Sequence, residues 1–199
     1  MTQTNRRSIA LALALALLVG VGPALAGNLT VKGSDTLVIL AQKWAEMYMQ
    51  QNSNTKIQVT GGGTGTGFAA LQNQTTDLCN ASRKIRAKEI EACVKAFGKR
   101  PTEYKVALDG LSVYVHESNP IAQLSIEELE GIFTAKIRNW KEIGGKDQPI
   151  VLYSRENSSG TYEFFKEHVL KGKDFASSAQ TLQGTAQVLQ AVAGEPKGI

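Results

Sequence analysis

The stretch Ile57–Leu71, IQVTGGGTGTGFAAL, joins two apolar runs through five glycines and two threonines. Residues 57–60 alternate in character and predict a β-strand, and Phe68, Ala69 and Leu71 predict that a helix follows at once. A chain uses this much glycine where its backbone must come close to another group. The candidates for that group are the phosphate tail of a nucleotide, a small free anion, or a simple turn.

The nucleotide motifs do not match this loop. A P-loop requires a lysine directly after its last glycine, and here Gly67 is followed by Phe68. The dinucleotide pattern G-x-G-x-x-G fails as well, because Gly62 and Gly67 are separated by a threonine where its middle glycine should stand. A free anion and a plain turn therefore remain as the two interpretations.

Similar units stand on both sides of this stretch. Leu29–Lys32 predicts a strand, and the apolar spacing from Thr36 predicts a helix. Asp77–Ala81 predicts a third strand, and Lys88–Phe97 a helix that Gly98 ends. Three strand–loop–helix units in succession predict an α/β fold with a parallel sheet.

The remaining chain predicts further strands and helices. Tyr104–Leu108 and Leu111–Val115 are rich in β-forming residues around Asp109-Gly110, which indicates a hairpin or a strand passing from one domain to another. Ser125-Ile126-Glu127-Glu128 is a capping box that begins a helix. The other predicted elements are a strand at Ile150–Tyr153, helices at Ser159–Leu170 and Gln183–Ala193, and the start of a strand at Pro196–Ile199.

The first 26 residues have the three parts of a secretion signal. Arg6 and Arg7 form a basic start, Ile9–Val21 is apolar, and Pro23–Ala26 ends in the small residues of a cleavage site. A membrane anchor is the alternative, but the apolar run is shorter than the ~20 residues of a typical span. We therefore expect cleavage after Ala26 and export to the periplasm.

Charge and cysteine content limit the function further. The net charge of +4 falls to +2 when residues 1–26, with two arginines and no acid, are removed, and this predicts no nucleic-acid partner. Export permits Cys79 and Cys93 to pair, so we predict a disulfide between them. By closing its loop, this bond would stabilise the folded state by ~3 kcal/mol. Two free thiols are the alternative.

Neither an enzyme nor a metal protein is predicted. No G-x-S-x-G motif is present, and no acid or base is paired with a nucleophile by spacing. His116 and His168 are the only histidines, and neither stands at metal-ligand spacing from the cysteines. The sequence implies no cofactor.

Three loops share one design that suits an anion. Gly33–Thr36, Gly61–Gly67 and Ser154–Thr161 each place glycine and hydroxyl residues between a strand and a helix. Helix N-termini offer unpaired N–H groups and partial positive charge. Capping and turn formation explain any one loop alone, but three together, beside Arg83 and Arg155, favour an anion site.

These stretches, taken in order, carry a resemblance to a known family. They are Lys32–Leu37, Gly61–Gly67, Asn80–Arg83, Asp109-Gly110, Ile132-Phe133, Asn139–Gly145 and Ser154–Thr161. From about Leu29 to Ile199 the chain resembles the periplasmic phosphate-binding proteins, the receptors of phosphate ABC importers. Any one motif is weak, whereas the ordered set is specific.

The resemblance implies an α/β, two-domain type II "Venus flytrap" that holds inorganic phosphate in the cleft between its domains. It implies a first domain at 27–108, a second at 109–199, and a monomer that delivers phosphate to the membrane permease of an ABC importer. The phosphate-binding residues that it implies are Ser34, Asp35, Thr36, Leu37, Thr64, Ser82, Arg83, Arg155, Ser159, Gly160 and Thr161. It also predicts a hinge near Ala107–Ser112.

Two departures from the family pattern qualify this expectation. Some members carry an acid at the position of Arg83 that accepts the proton of hydrogen phosphate, so selectivity here must come from elsewhere, with Asp35 as a candidate. The family's chain also continues past Gly198-Ile199, and the sequence is therefore expected to be a fragment. The alternatives left open are a receptor for sulfate, arsenate or molybdate, an exported phosphatase, and an adhesion or sensing protein.

Overall fold

The computed structural model describes residues 27–199, and the predicted signal peptide lies outside the described residues. The first half of this part is a small parallel sheet with helices after its strands. Its strands are β1 (Gly27–Gly33), β2 (Thr55–Thr60) and β3 (Leu78–Asn80), in the order β2-β1-β3. All strands run in parallel, with Gly27 opposite Thr55 and Val31 opposite Leu78.

Three helices connect or follow these strands. They are α1 (Asp35–Gln51), α2 (Thr64–Gln72) and α3 (Ala87–Phe97). Gly98 ends α3 in the left-handed conformation, with φ of 70°, as the sequence predicts. The three predicted strand–loop–helix units are confirmed; where the sequence gives both ends of an element, neither end moves by more than two residues.

The second half contains a sheet of its own. Its elements are α4 (Ile126–Phe133), a 3-10 helix (Trp140–Ile143), β4 (Tyr153–Arg155), α5 (Gly160–His168), β5 (Gln180–Leu182) and α6 (Thr185–Gly194). Strands β4 and β5 pair in parallel, and Val151 forms a parallel bridge to Gly198, where the sequence predicts a strand start. The predicted capping box is confirmed, because the Glu128 N–H donates to Ser125 Oγ at 3.1 Å.

Most of the apolar core lies in this second half. Ile132 and Leu170 are fully buried, and Phe133 meets Phe165 edge to face at a centroid distance of 4.8 Å. On α1, by contrast, Ala41 is buried whereas Trp44 remains 43% exposed. Part of the apolar face of α1 is thus only half covered.

The segment between α3 and α4 differs from the prediction. Tyr104–Leu108 and Leu111–Val115 were expected as strands, but the structure gives them no regular secondary structure. Tyr104 is 80% exposed and Leu108 89%. A strand needs a hydrogen-bonded neighbour, and β-forming side chains alone do not supply one. The predicted boundary between residues 108 and 109 falls in this segment and stays a prediction, as does the hinge.

Candidate functional site

The loops that follow β1, β2 and β3 meet at one edge of the first sheet. Parallel strands place their carboxyl ends at the same edge, where ligands of open α/β sheets bind. The Ser34 N–H donates to the carbonyl of Asn80 at 2.9 Å and so joins the first and third loops. The sequence order alone thus brings three of the predicted site segments together.

Three hydroxyl groups form the centre of this edge. Ser34 and Ser82 share a hydrogen bond between their hydroxyls, and the Ser82 N–H donates to Thr64 Oγ1 at 3.1 Å. Thr64 is fully buried and is the first residue of α2. Buried hydroxyls can both donate and accept, so this cluster can donate to an anion's oxygens.

The N-terminus of α5 approaches the same cluster from the second half of the chain. Ser159 caps this helix by accepting from the Tyr162 N–H at 3.3 Å. At Gly160 an added Cβ would lie 2.6 Å from Thr64 Oγ1 and 2.9 Å from Ser82 Cβ. Only glycine permits so close an approach, and the two halves of the chain therefore meet at the hydroxyl cluster.

A second contact between the halves lies beside the first. Thr36, in the first turn of α1, and Thr161, in the first turn of α5, place their hydroxyl oxygens 3.3 Å apart. Two helix N-termini thus face a common point, with hydroxyl groups on both. Their partial positive charges add at that point and favour an anion there.

Arg155 is the cation of this site. It ends β4, and its side chain is 7% exposed. Its Nη2 donates to Asp35 Oδ2 and to Glu156 Oε1, each at 2.9 Å, and its Nε donates to Glu156 Oε2 at 3.1 Å. Its Nη1 donates to Thr185 Oγ1 at 3.1 Å. The guanidinium is therefore held in one plane at the junction of the two halves.

Asp35 links the guanidinium to the glycine-rich loop. Its Oδ1 accepts from the Gly62 N–H at 2.9 Å, while its Oδ2 accepts from Arg155. The loop's N–H groups therefore meet protein acceptors as well: Gly65 donates to the carbonyl of Ser158 at 2.8 Å. The N–H groups of Gly62 and Gly65 thus bond protein acceptors.

Arg83 forms an ion pair with Glu89, and its role in phosphate binding stays a prediction. Its guanidinium makes two hydrogen bonds to Glu89, of 2.9 and 2.7 Å, and lies 5.0 Å from the ring centre of Phe68. The hydrogen bond to Glu89 raises the pKa of Arg83. Burial would raise the pKa of Glu89, but the hydrogen bonds from the Arg83 side chain and the Arg86 N–H outweigh it, and the pKa is lowered. The pair is internally neutral.

Leu37 also makes a protein contact instead of standing free. Its N–H donates to the carbonyl of Ser34 at 3.2 Å, within the first turn of α1. The structure thus gathers Ser34, Asp35, Thr36, Thr64, Ser82, Arg155, Gly160 and Thr161 about one junction, with Ser159 as the cap of α5. It directs Arg83 and the Leu37 N–H to protein acceptors.

Sequence reasoning missed several residues of the junction. Thr185 and Glu156 both accept hydrogen bonds from the Arg155 guanidinium, and sequence reasoning named neither Thr185 nor Glu156 as a site residue. The position of Glu156 next to Arg155 is the one signal that could have identified it. Ser158 contacts the glycine-rich loop through its backbone carbonyl, and a backbone contact leaves no mark on residue type.

The predicted disulfide is not formed in the structure. Cys79 and Cys93 are both free thiols, which was the alternative that the sequence left open. Burial raises the pKa of Cys79 to about 12, and burial also raises that of Cys93. A thiol with so high a pKa is a poor nucleophile.

Neither a metal cluster nor a membrane span accompanies the site. Within residues 27–199, no three His, Cys, Asp or Glu side chains gather in a way that could hold a metal ion. None of the helices in that range combines the length and apolar character needed to cross a bilayer. The donor set of the junction is that of an oxyanion site: hydroxyls, helix N-termini and one arginine fork.

Comparison with known sequences gives the same family. A family model described as a PBP superfamily domain matches residues 21–198. The phosphate-binding protein PstS of Pseudomonas aeruginosa is 35% identical over 187 residues, which cover 88% of this chain and 58% of that protein. PstS of Bacillus subtilis is 35% identical over 175 residues, covering 87% and 56%. The chain thus spans less than two thirds of the length of these relatives.

Comparison with solved structures agrees with the comparison of sequences. A protein from Clostridium perfringens, assigned as a phosphate ABC transporter substrate-binding protein and solved with bound phosphate, matches with a TM-score of 0.78 and 29% identity over 86% of this chain and 68% of that one. An ABC-type phosphate transport receptor from Vibrio cholerae matches with a TM-score of 0.65 and 28% identity, over 86% and 69%. The chain therefore belongs to the PBP superfamily and has the two-domain α/β fold of the type II periplasmic binding proteins.

Proposed function

We propose that the protein captures inorganic phosphate between its two lobes and delivers it to the membrane permease of an ABC importer. Here the lobes are the parts of the chain that carry the first and the second sheet. One observation carries the proposal: Arg155 of the second lobe reaches Asp35, at the edge where the first lobe gathers its hydroxyls. Phosphate as the ligand is supported by the phosphate-binding relatives and by the structural neighbour solved with bound phosphate.

The chemistry of the junction suits phosphate. The oxygens of phosphate can accept hydrogen bonds from the N–H groups at the N-termini of α1 and α5. They can also accept from four hydroxyls, those of Ser82, Thr64, Thr36 and Thr161. Arg155 supplies the positive charge beside the anion, while four of its five guanidinium N–H groups bond Asp35, Glu156 and Thr185. Because the donors come from both lobes, phosphate stabilises the arrangement in which the lobes are together.

Asp35 gives the site a means of choosing between oxyanions. Hydrogen phosphate carries a proton that can be donated to a carboxylate, whereas sulfate at neutral pH has none. A carboxylate facing sulfate would oppose one acceptor to another, which is costly in a buried site. Asp35 is the acid at the Arg155 guanidinium that comes from the first lobe, so it takes over the role that family members give to an acid at the position of Arg83.

The cellular setting of the proposal follows from the same family. We infer that residues 1–26 are a signal peptide and that the protein acts as a monomer in the periplasm. It uses no cofactor, binds no nucleic acid and catalyses no reaction. Loss of high-affinity phosphate uptake in a deletion strain, restored by the wild-type protein, would support the transport role. Unchanged uptake would instead favour an adhesion or sensing function.

Calorimetric titration tests the ligand directly. Phosphate should bind the protein at neutral pH and should still bind in the presence of excess sulfate, while arsenate, which is also protonated, should compete. Displacement by sulfate would make the protein a general oxyanion receptor. A folded protein, checked by circular dichroism, that gives no heat with phosphate would contradict the proposal.

A further inference from the structure

Two contacts join the lobes without involving any of the proposed phosphate-binding groups. The first is made by Ser158, in the loop before α5. Its carbonyl accepts from the Gly65 N–H at 2.8 Å, and its hydroxyl donates to the carbonyl of Gly62 at 3.3 Å. Gly65 is the second residue of α2, so its N–H has no acceptor within its own helix. The acceptor from the other lobe fills that need.

This contact leaves no room for a side chain at Gly63. The φ of this glycine is +89°, and an added Cβ would lie 2.5 Å from Ser158 Oγ and 2.7 Å from the Ser158 carbonyl oxygen. The second atom belongs to the backbone, which cannot move aside as a flexible side chain can. The neighbouring Gly62 has a similar φ of +106°, but a Cβ there would meet only the Thr66 side chain, at 3.8 Å.

The second contact is an ion pair between Arg86 and Glu163. Arg86 caps α3 of the first lobe, and Glu163 lies in the first turn of α5 of the second lobe. The Arg86 guanidinium donates to the Glu163 carboxylate, with side chains 53% and 28% exposed. In the part of the chain that the structure describes, neither side chain hydrogen-bonds to the hydroxyl cluster, although, beside the hydrogen bond to Glu89, the Glu163 charge also helps to raise the pKa of Arg83.

We propose that these two contacts form a latch that sets phosphate affinity by holding the lobes together. The latch consists of Gly63, Ser158, Arg86 and Glu163, which are positioning residues and not ligands. The proposal rests on the proposed function. Because the latch exists only when the lobes touch, it stabilises the closed state and slows release of the anion. Its loss should raise the dissociation rate more than it lowers the association rate.

A matched pair of glycine substitutions tests the backbone half of the latch. Gly63→Ala and Gly62→Ala both place a Cβ on a backbone with positive φ, but only the former collides with the other lobe. We expect Gly63→Ala to bind phosphate at least ~10-fold more weakly than Gly62→Ala, mainly through faster release. Equal affinities in the two variants would overturn the proposal.

Hydrogen exchange of the Gly65 amide gives a readout that does not need phosphate. This amide should be protected in the wild type and in Gly62→Ala, and it should exchange faster in Gly63→Ala, since its acceptor comes from the other lobe. Unchanged protection in Gly63→Ala would contradict the latch. A wild type that protects Gly65 but binds no phosphate would refute the proposed function and leave the lobe contact established.

Substitutions of the ion pair test the other half in a variant that keeps its fold. Glu163→Gln should weaken phosphate binding about two- to fivefold, the range expected for an exposed pair, and should reduce the salt dependence of release. The exchanged pair Arg86→Glu with Glu163→Arg should restore the affinity. Wild-type affinity and salt dependence in Glu163→Gln would overturn this half of the latch.

Discussion

Two Ser-Arg pairs of this protein lie at or just after the end of a strand, but their arginines meet different environments. Ser82-Arg83 follows β3, and Ser154-Arg155 ends β4. Arg83 binds Glu89 within its own lobe, whereas Arg155 binds Asp35 across the junction. The ion pair of Arg83 thus lies within one lobe, whereas that of Arg155 joins the two lobes.

The difference shows that an arginine's role depends on which acid reaches it. Glu89 contacts Arg83 from the first turn of α3 and also accepts from the Arg86 N–H at 2.8 Å, so it stabilises the start of that helix. Asp35 meets Arg155 from the first turn of a helix in the other lobe. A pair that bridges the lobes can respond to a ligand, while a pair inside one lobe mainly stabilises the fold.

Removal of Arg155 should have the largest effect on binding. Arg155→Ala leaves Asp35, Glu156 and the phosphate without their common cation, and we expect phosphate affinity to fall on the order of 100-fold. Arg155→Lys keeps the charge but loses the planar fork, so its affinity should lie between those of the wild type and the alanine variant. Calorimetry measures both, and undiminished binding in Arg155→Ala would refute the site.

Substitution of Asp35 should change selectivity more than stability. Asp35→Asn replaces the proposed acceptor of the phosphate proton with an amide that can also donate. The preference for phosphate over sulfate should then fall by roughly 10-fold or more, because sulfate no longer faces a carboxylate. Competition titration gives the ratio. An unchanged ratio would show that another group makes the choice.

Breaking the pair inside the first lobe should affect stability and spare binding. Glu89→Gln removes a charge from a pair whose side chains are only 12% and 16% exposed, and we expect the free energy of unfolding to fall by about 1–3 kcal/mol. Phosphate affinity should stay within about threefold of the wild type if the site is unaltered. Urea denaturation and calorimetry measure the two, with the exposed Glu91→Gln on the same helix as a control. A large loss of affinity with unchanged stability would give Arg83 the ligand role after all.

The smallest effect on binding should come from Glu130, an acid outside the junction. Hydrogen bonds from Lys173 and Lys171 lower its pKa from 4.5 to about 2. A lowered pKa in the folded state means that the stabilisation is complete above pH 4.5 and is lost as the pH falls towards 2. Glu130→Gln should therefore flatten the acid limb of the stability curve, measured by thermal unfolding, and leave phosphate affinity unchanged. The exposed Glu127→Gln is the control, and an equal change there would contradict the assignment.

Local patterns predicted much of the fold. The helix that begins after Ser125 was found because its capping box is complete within four residues. The end of α3 at Gly98 was found because a left-handed residue favours glycine. The strand predicted at Tyr104–Leu108 is not formed, because a strand depends on a hydrogen-bonded partner elsewhere in the chain and not on local residue types alone.

The candidate site likewise contains residues that the sequence could predict and contacts that it could not. The hydroxyl-bearing loops and Arg155 were noted from the sequence, because strand–loop–helix order places each at the end of a predicted strand, and the family resemblance implied the individual phosphate-binding residues. The partners of Arg83, the carbonyl of Ser158 and the need for glycine at Gly63 could not be named. Each depends on how the lobes or helices pack.

The sequence by itself thus determined the order of the elements and several of their ends, because these follow from hydrogen bonds and side-chain periods within a few residues. It also suggested that the loops bind an oxyanion, which stays a proposal. Only the tertiary structure decided that Arg155 meets an acid 120 positions away while Arg83 meets one six positions away. It also decided that the glycine-rich loop receives the other lobe. Such contacts arise when distant segments pack together, and no local pattern encodes which of several compatible partners comes within hydrogen-bonding distance.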